Sequence, residues 1–554
     1  MKRIISILLA AMPLLAMAQG RTSVKLDEAG QLASKILEDD RFKITELKVS
    51  GPMNGADIKL MQQIVNRTKA KEKNGECLVK SVDLSEAIII EGKDGMKTKA
   101  NELPSGLFAG AKELTTVVLP QNIINISKSC FEDCKALVTM TIPESVTTIE
   151  SSAFKNCESL PAISIPSYVT SIGSEAFEDC KTLAVIEIPA SVKEMGTQVF
   201  KDCKALTTAN ILAPLKKLDN EVFRNCESLA NIQLPETLLE IDNNVFQDCK
   251  SLSSIRMQGV RKIGSYVFQD CTSLQEVGFE NLSKMGSSAF QNCNSLTTVV
   301  LQGSLDDISN DAFKGCSSLN NINIPATVKT IKNNAFDGCI SLTAIELPSS
   351  LTKIESEAFK GSGLTSINVP TLVKSIGSSA FEKCSQLTNA SIGAFVEEVS
   401  SGLFNGCSSL TSVSLPNTVK KIGTKAFQGC IAMNSIDLPA ALLSIGDDAF
   451  EKCTSLAEIK IPVAVTSIGS DAFYECSMLS RVELSAALKE IGGSAFQKCP
   501  MLHEIVLNCP TPPSISKSTF KDVAATFLIP AGSKPLYNND KDWQKLPTKE
   551  KTTF

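Results

Sequence analysis

Apolar residues return along this chain at a fixed spacing, and that spacing predicts its architecture. Leu137 to Ser159, LVTMTIPESVTTIESSAFKNCES, lies in register over Leu160 to Thr182, LPAISIPSYVTSIGSEAFEDCKT. The pattern recurs every 23 residues, occasionally 22, from Leu114 to Leu507, with Met433 once replacing the opening leucine. A period in this range is the signature of a solenoid, in which each unit buries its apolar face only against its neighbours. Positions 1, 4 and 6 of a unit are apolar with polar residues between, as in Leu319, Ile322 and Ile324, which predicts a short strand. Proline usually follows at position 7, as Pro325 does, and closes the strand because it has no N–H for the ladder. Positions 10, 13, 17, 18 and 21, for example Val328, Ile331, Ala335, Phe336 and Cys339, predict an irregular or 3-10-like return. Glycine at position 14 (Gly173, Gly377, Gly423, Gly469) allows a left-handed backbone there, but Glu150 and Lys332 at the same position make it optional.

The remainder of the chain reads as ends to this array. Residues 1–18 have the form of an export signal: Lys2 and Arg3, an apolar run from Ile4 to Leu15, then Ala16-Met17-Ala18 before a mature start at Gln19. That run is too short for a membrane-spanning helix of about 20 residues, and no later stretch resembles one. Residues 19–102 depart from the period and predict an α-helical N-terminal cap. Its elements are a helix over Leu26 to Asp39 capped by Asp27, a strand over Ile44 to Val49, a helix over Ala56 to Val65 and a strand over Leu84 to Glu91. The array itself spans 103–525, about 18–19 repeats. In the C-terminal cap and tail, 526–554, Tyr537 and the single tryptophan, Trp543, are expected to plug the last coil, with the residues from Thr548 onward frayed.

Composition changes little. A net charge of −5 without any basic run gives no footprint for nucleic acid. The length of 554 residues would ordinarily mean several globular domains, but the repeat makes it one elongated array.

The unit LxxIxIPxxVxxIGxxAFxxCxx resembles the BspA-like, or treponemal-type, leucine-rich repeat of bacterial and protist surface and secreted proteins. IPAGSKPLY…W is similar to the closing segment of such proteins and LKVSGPMNGADI to their opening one. The resemblance implies a leucine-rich-repeat solenoid: right-handed stacked coils with one long parallel β-sheet and irregular or 3-10 returns. It also implies adhesion, to matrix proteins, host cells or other bacteria. Immunoglobulin-like or sorting domains that often accompany these repeats are not visible.

Candidate chemistry is sparse. Of nineteen cysteines, sixteen from Cys134 to Cys499 occupy position 21 and form a ladder. Parallel stacked side chains about 4.8 Å apart exceed the roughly 3.8 Å Cβ separation of a disulfide, which favours free buried thiols, although an exported protein meets oxidising conditions. Cys77, Cys130 and Cys509 lie off the ladder and their state stays open. A line of thiols without any C-x-x-C is a poor zinc site, so no metal or cofactor is expected. His503, the only histidine, and Cys509 make a weak nucleophile pair, and no phosphate loop or G-x-S-x-G elbow is present, so an enzyme is not expected. Nineteen phenylalanines, Phe108 to Phe520, recur at position 18 as a core spine.

A partner is therefore expected on the outer face of the sheet, at positions 3 and 5. The candidate residues are Asn210, Asn231, Gln233, Arg256, Asn321, Asn323, Ser366, Asn368, Asn389 and Ser412. This neutral, hydrogen-bonding face suits an extracellular protein or a polar polymer, bound by an exported monomer at the cell surface or outside it, with the periplasm as an alternative compartment. Capture of glycans or other nutrients is the second reading, and the scarcity of aromatics at these positions counts against it.

Overall fold

The computed structural model describes residues 20–66 and 79–551. The export signal and Cys77 lie outside them. The chain divides into two compact units, Met1–Thr237 and Leu238–Phe554, and both are stacks of parallel-strand coils.

In the first unit the sheet begins before the repeats do. Arg21–Lys25, Glu46–Met53, Ser81–Asp83, Thr116–Val118 and Thr139–Met140 pair in parallel in that order, so residues of the expected cap supply the opening strands. The cap therefore has more strands than helices, and its one helix longer than a turn or so is Gly55–Val65. Asn54 and Asp57 form a capping box at its start. The buried Asp57 carboxylate also accepts N–H donors from Gly30 (2.6 Å) and Leu32 (2.9 Å). The helix expected over Leu26 to Asp39 shrinks to Leu32–Lys35 and a 3-10 turn at Glu38–Asp40. Gly30 turns left-handed (φ +89°) just ahead of it, and Asp27 does not cap it.

Along the repeats the parallel sheet comes in segments. Val185–Ile188, Thr208–Ile211 and Asn231–Gln233 form one in the first unit. In the second unit Glu276–Leu282, Thr298–Gly303 and Asn321–Ile322 form another, and Ser366–Asn368, Asn389–Ser391 and Ser412–Ser414 a third. The coils opening at Leu160, Leu342 and Met433 contribute no strand at positions 3–6. Pro161 removes a donor from the first of these, and nothing in the other two explains the gap.

The returns are more regular than the sequence suggests. Positions 12 and 13 make a second parallel ladder of two-residue strands, as in Asn125–Ile126, Thr148–Ile149 and Ser171–Ile172. Beyond it, positions 16 and 20 are left-handed: Ser152 and Asn156 have φ of +56° and +59°, and Glu175 and Asp179 +60° and +59°. That alternation turns every second N–H toward the next coil: Ser152, Phe154 and Asn156 each donate at 2.8 Å to Ser174, Ala176 and Glu178 carbonyls. Glycine at position 14 has another purpose. Gly173 has an ordinary φ, but a Cβ there would stand 2.3 Å from the Ser151 nitrogen of the preceding coil.

The core follows the expected ladders within each unit. Phenylalanine rings stack from Phe108 to Phe223 and again from Phe246 to Phe520, with neighbouring centroids between 5.1 and 5.7 Å apart. Each ladder thiol with a resolved partner donates to the position-18 carbonyl one coil back, as Cys157 Sγ does to Phe131 O at 3.2 Å. At the C-terminus Tyr537 and Trp543 are buried edge-on to each other, and Trp543 packs on Phe520 and Phe527, closing the last coil. Thr548–Glu550, expected to fray, pairs in parallel with Thr526–Ile529.

Candidate functional site

Alternation along each strand sends positions 4 and 6 into the core and positions 3 and 5 outward. Ser366, Asn389 and Ser412 are exposed and lie opposite one another in register, with Asn368 two residues along. Two of these residues bond within the face: the Ser412 hydroxyl donates to Asn389 Oδ1 (2.7 Å) and Asn389 Nδ2 to Thr388 Oγ1 (2.9 Å). Asn231 and Gln233 are exposed, opposite Thr208 and the half-buried Asn210. Asn321 is exposed as expected, but Asn323 serves the sheet: its Oδ1 accepts the Leu301 N–H (2.8 Å) and its Nδ2 donates to the Leu301 carbonyl (2.7 Å). Asn210, Asn231 and Gln233 belong to the first unit and the other candidates to the second.

Arg256 has the most distinctive surroundings. It lines a depression of about 810 Å³ in the sheet face, built from three successive coils. Their outward residues form a grid: Ser254, Arg256 and Gln258; Glu276, Gly278 and Glu280; Thr298, Val300 and Gln302. Pairing of Glu276 with Thr298 and of Gly278 with Val300 fixes two rows, and a bridge between Ser254 and Glu276 aligns the third. Gly278, without a side chain, sits at the centre. Nothing lies closer than 3.9 Å to the place its Cβ would take, and the nearest atom is Val300 Cβ.

The cause is local sequence. These coils lack the position-7 proline, carrying Gln258, Glu280 and Gln302 there. Two of the three coils then run on as longer strands, seven residues in Glu276–Leu282 and six in Thr298–Gly303, and add a third outward column, while the Leu252 coil contributes only the bridge at Ser254. The missing proline permits this without enforcing it, since the Leu387 coil with Gly393 at position 7 keeps a three-residue strand. Sequence reasoning singled out Arg256 but missed Glu276, Gly278 and Glu280; the signal was the missing proline together with the 22-residue spacing of Leu252, Leu274 and Leu296. Among the described residues, the charged groups of Arg256, Glu276 and Glu280 have no hydrogen-bonding or ion-pair partner. Elsewhere on the sheet, charges on adjacent strands meet, as Arg481 and Glu504 do at 2.7 Å and Arg21 and Glu46 at 2.9 Å.

The family model for BspA-type leucine-rich repeat regions, in six copies, matches residues 101–230, 200–320, 306–433 and 397–526, well over half of the sequence. The chain belongs to the BspA-type leucine-rich-repeat family. Among solved structures, a leucine-rich repeat protein from Bacteroides ovatus ATCC 8483 is 27% identical with a TM-score of 0.54, over 71% of this chain and 92% of that one. A leucine rich cell surface protein from Faecalibacterium prausnitzii A2-165 is 24% identical with a TM-score of 0.33, over 65% and 89%. No curated protein matches.

The reactive groups of this BspA-type array are placed away from that face. Every described cysteine is a buried free thiol, and burial pushes the ladder upward, Cys134 to about 12 and Cys384 to about 11. His503 is exposed, its Nδ1 3.1 Å from the Met501 carbonyl, whereas Cys509 is buried against the Tyr537 hydroxyl at 3.3 Å, so the two do not act as a pair. Glu178, Asp179 and Asp202 bring three carboxylates together. Lys155 (2.7 Å) and Lys201 (3.1 Å) already neutralise Glu178 there. The exposed aromatics Tyr168, Tyr266 and Phe395 stand in turns, off the outward strand positions.

Proposed function

We propose that this protein is an exported, non-enzymatic binding scaffold that adheres to an extracellular host or bacterial protein through the outer face of its parallel sheet. The observation that carries the reading is the depression around Gly278, where three charged side chains face solvent without an internal partner. Charges that a fold leaves unpaired around a concavity are available to a ligand, and complementary charge steers and selects partners. The leader-like residues 1–18 support export. No described helix is long and apolar enough to cross a membrane. Membership of the repeat family supports a scaffold, since stacked coils offer an extended surface and the thiols lie buried beneath it.

The test is adhesion of beads carrying the protein from Gln19 onward to immobilised matrix proteins, host cells and bacterial cells. One variant carries Asn321→Lys, Ser366→Lys and Asn368→Lys; another carries Gly278→Leu. Saturable adhesion that either variant weakens supports the face. Adhesion equal in all three proteins removes it.

A further inference from the structure

We propose that the depression centred on Gly278 seats a lysine or arginine side chain of an extended peptide, with an acidic residue two positions away on that peptide meeting Arg256. The assignment rests on the reading of the sheet face as the binding surface and names the chemistry of its ligand.

Three observations lead to it. First, Glu276, Gly278 and Glu280 are all exposed along one strand, the last where the pairing bulges after Phe279, so the two carboxylates flank a position with no side chain. Residues four apart on a strand are about 13 Å apart at Cα, a separation that two glutamate side chains leaning inward and one shared cation fill. Second, Arg256 stands on the neighbouring coil opposite Gly278, about one strand spacing of 4.8 Å away. A guanidinium there offers a carboxylate two parallel N–H donors. Outward residues on an extended peptide recur every second position, about 6.7 Å apart, so a basic and an acidic residue separated by one residue reach both subsites together. Third, Val300 is 39% exposed on the far side of Gly278 and supplies an apolar wall. The methylene stem of a lysine or arginine packs on such a wall while its charged head stays among polar groups.

The charges around the depression are of both signs. Arg256 and the glutamates are close enough to compete for a ligand's groups, yet no ion pair closes the depression. A ligand carrying only positive or only negative charge satisfies half the site and meets repulsion from the other half.

The probes are two fluorescein-labelled, end-capped peptides, Ala-Ala-Lys-Ala-Asp-Ala-Ala and Ala-Ala-Gln-Ala-Asn-Ala-Ala, titrated by fluorescence anisotropy against the full chain. The charged peptide is expected to bind saturably and the neutral one to bind at least about tenfold more weakly, since a charge-assisted contact is lost at each end. Glu276→Gln with Glu280→Gln should cost the charged peptide about tenfold or more, and Gly278→Leu should abolish its binding. Both variants are checked by thermal melting. The isosteric glutamine pair keeps the test decisive if the leucine variant fails to fold. Raised salt should weaken the charged peptide alone. Equal binding of the two peptides, no binding of either, or affinity untouched by the glutamine pair overturns the assignment. Bead adhesion that persists when peptide binding fails leaves the sheet-face reading standing, so the two failures are distinguishable.

Discussion

Two segments of parallel sheet in the second unit obey the same repeat and present different surfaces. In the coils that open at Leu364, Leu387 and Leu410, Pro370, Gly393 and Pro416 stand at position 7, and the strands are three residues long. Their outward residues are small and neutral, and one pair, Ser412 and Asn389, hydrogen-bonds across the strands. In the coils that open at Leu252, Leu274 and Leu296, Gln258, Glu280 and Gln302 stand at position 7 and two of the strands are twice as long. The added column brings Glu280 beside Gly278, and the charges of this stretch are unpaired. Beneath both, the same phenylalanine and cysteine ladders continue. The difference teaches that the repeat builds the support, and that local departures from it make the surface specific.

The largest expected effect tests whether the support really is the same. Phe290 and Phe404 are both fully buried, the first between Phe268 and Phe313, the second between Phe381 and Phe427. Phe290→Ala and Phe404→Ala should each cost about 3–5 kcal/mol in urea melts, the range for emptying a large core site. Phe290 also meets the edge of Phe279 on the long strand, at 6.3 Å, so its loss should be the larger of the two. A cost below about 1 kcal/mol at either position would break the claim of a shared core.

A smaller effect separates two glycines of a single coil. At Gly286 a Cβ would lie 2.3 Å from the backbone of Gly264 and Ser265 in the preceding coil, whereas at Gly278 it would meet nothing nearer than 3.9 Å. Gly286→Ala should therefore destabilise by about 1–3 kcal/mol through overpacking. Gly278→Ala should change stability by no more than about 0.5 kcal/mol, as open surface substitutions do. Similar melting of both variants would mean that the two glycines are kept for the same reason. The thiols bring the next step down. Cys293→Ala and Cys407→Ala each remove one donor, to Phe268 O at 3.0 Å and to Phe381 O at 3.1 Å, and should cost about 1 kcal/mol apiece. In the native protein a thiol reagent should label these cysteines far more slowly than in denaturant, because burial raises both. Rapid native labelling, or a mass two hydrogens lighter per bridged pair, would contradict a free, buried ladder.

Much of the support was legible in the sequence because apolar periodicity reports burial directly. Leu319, Ile322, Phe336 and Cys339 fall where the period puts them. The left-handed turn at position 16 was not legible, since Glu175, Tyr266 and Lys425 occupy it, and such side chains carry no signal for a positive φ, whereas at position 20 residues such as Asn156, Asp179 and Gly315 do carry that signal and it was missed. Coil-to-coil hydrogen bonds hold those residues where their own preference would not. Gly173 was misread for the complementary reason: a glycine kept for close approach looks in sequence like one kept for φ. The candidate face was half legible. Position within the unit identifies outward residues such as Asn321, but whether a side chain is free depends on its neighbours, and Asn323 is taken up by Leu301. The depression appears in the sequence only as missing prolines and two short repeats.

The smallest expected effect contrasts unpaired charge at the depression with paired charge elsewhere. In the first unit Lys155 Nζ lies 2.6 Å from Glu175 and 2.7 Å from Glu178. The hydrogen bond from Lys155 holds the Glu175 carboxyl below its ordinary value of 4.5, against an opposing push from partial burial. A carboxyl lowered in the folded state contributes stability that is fully present above the unfolded value and disappears as pH falls through the folded one. The Glu175 contribution should therefore be constant near neutrality and fade below about pH 4.5. Glu175→Gln should lower the melting temperature slightly at pH 7 and flatten its fall on the acid side, because the variant has no proton to take up there. Thermal melts of the two proteins from pH 7 to pH 3 read this directly: the curves should converge as the solution becomes acid. A constant gap between them would mean that Glu175 acts by packing, and that ion pairing does not distinguish this side of the coils from the depression.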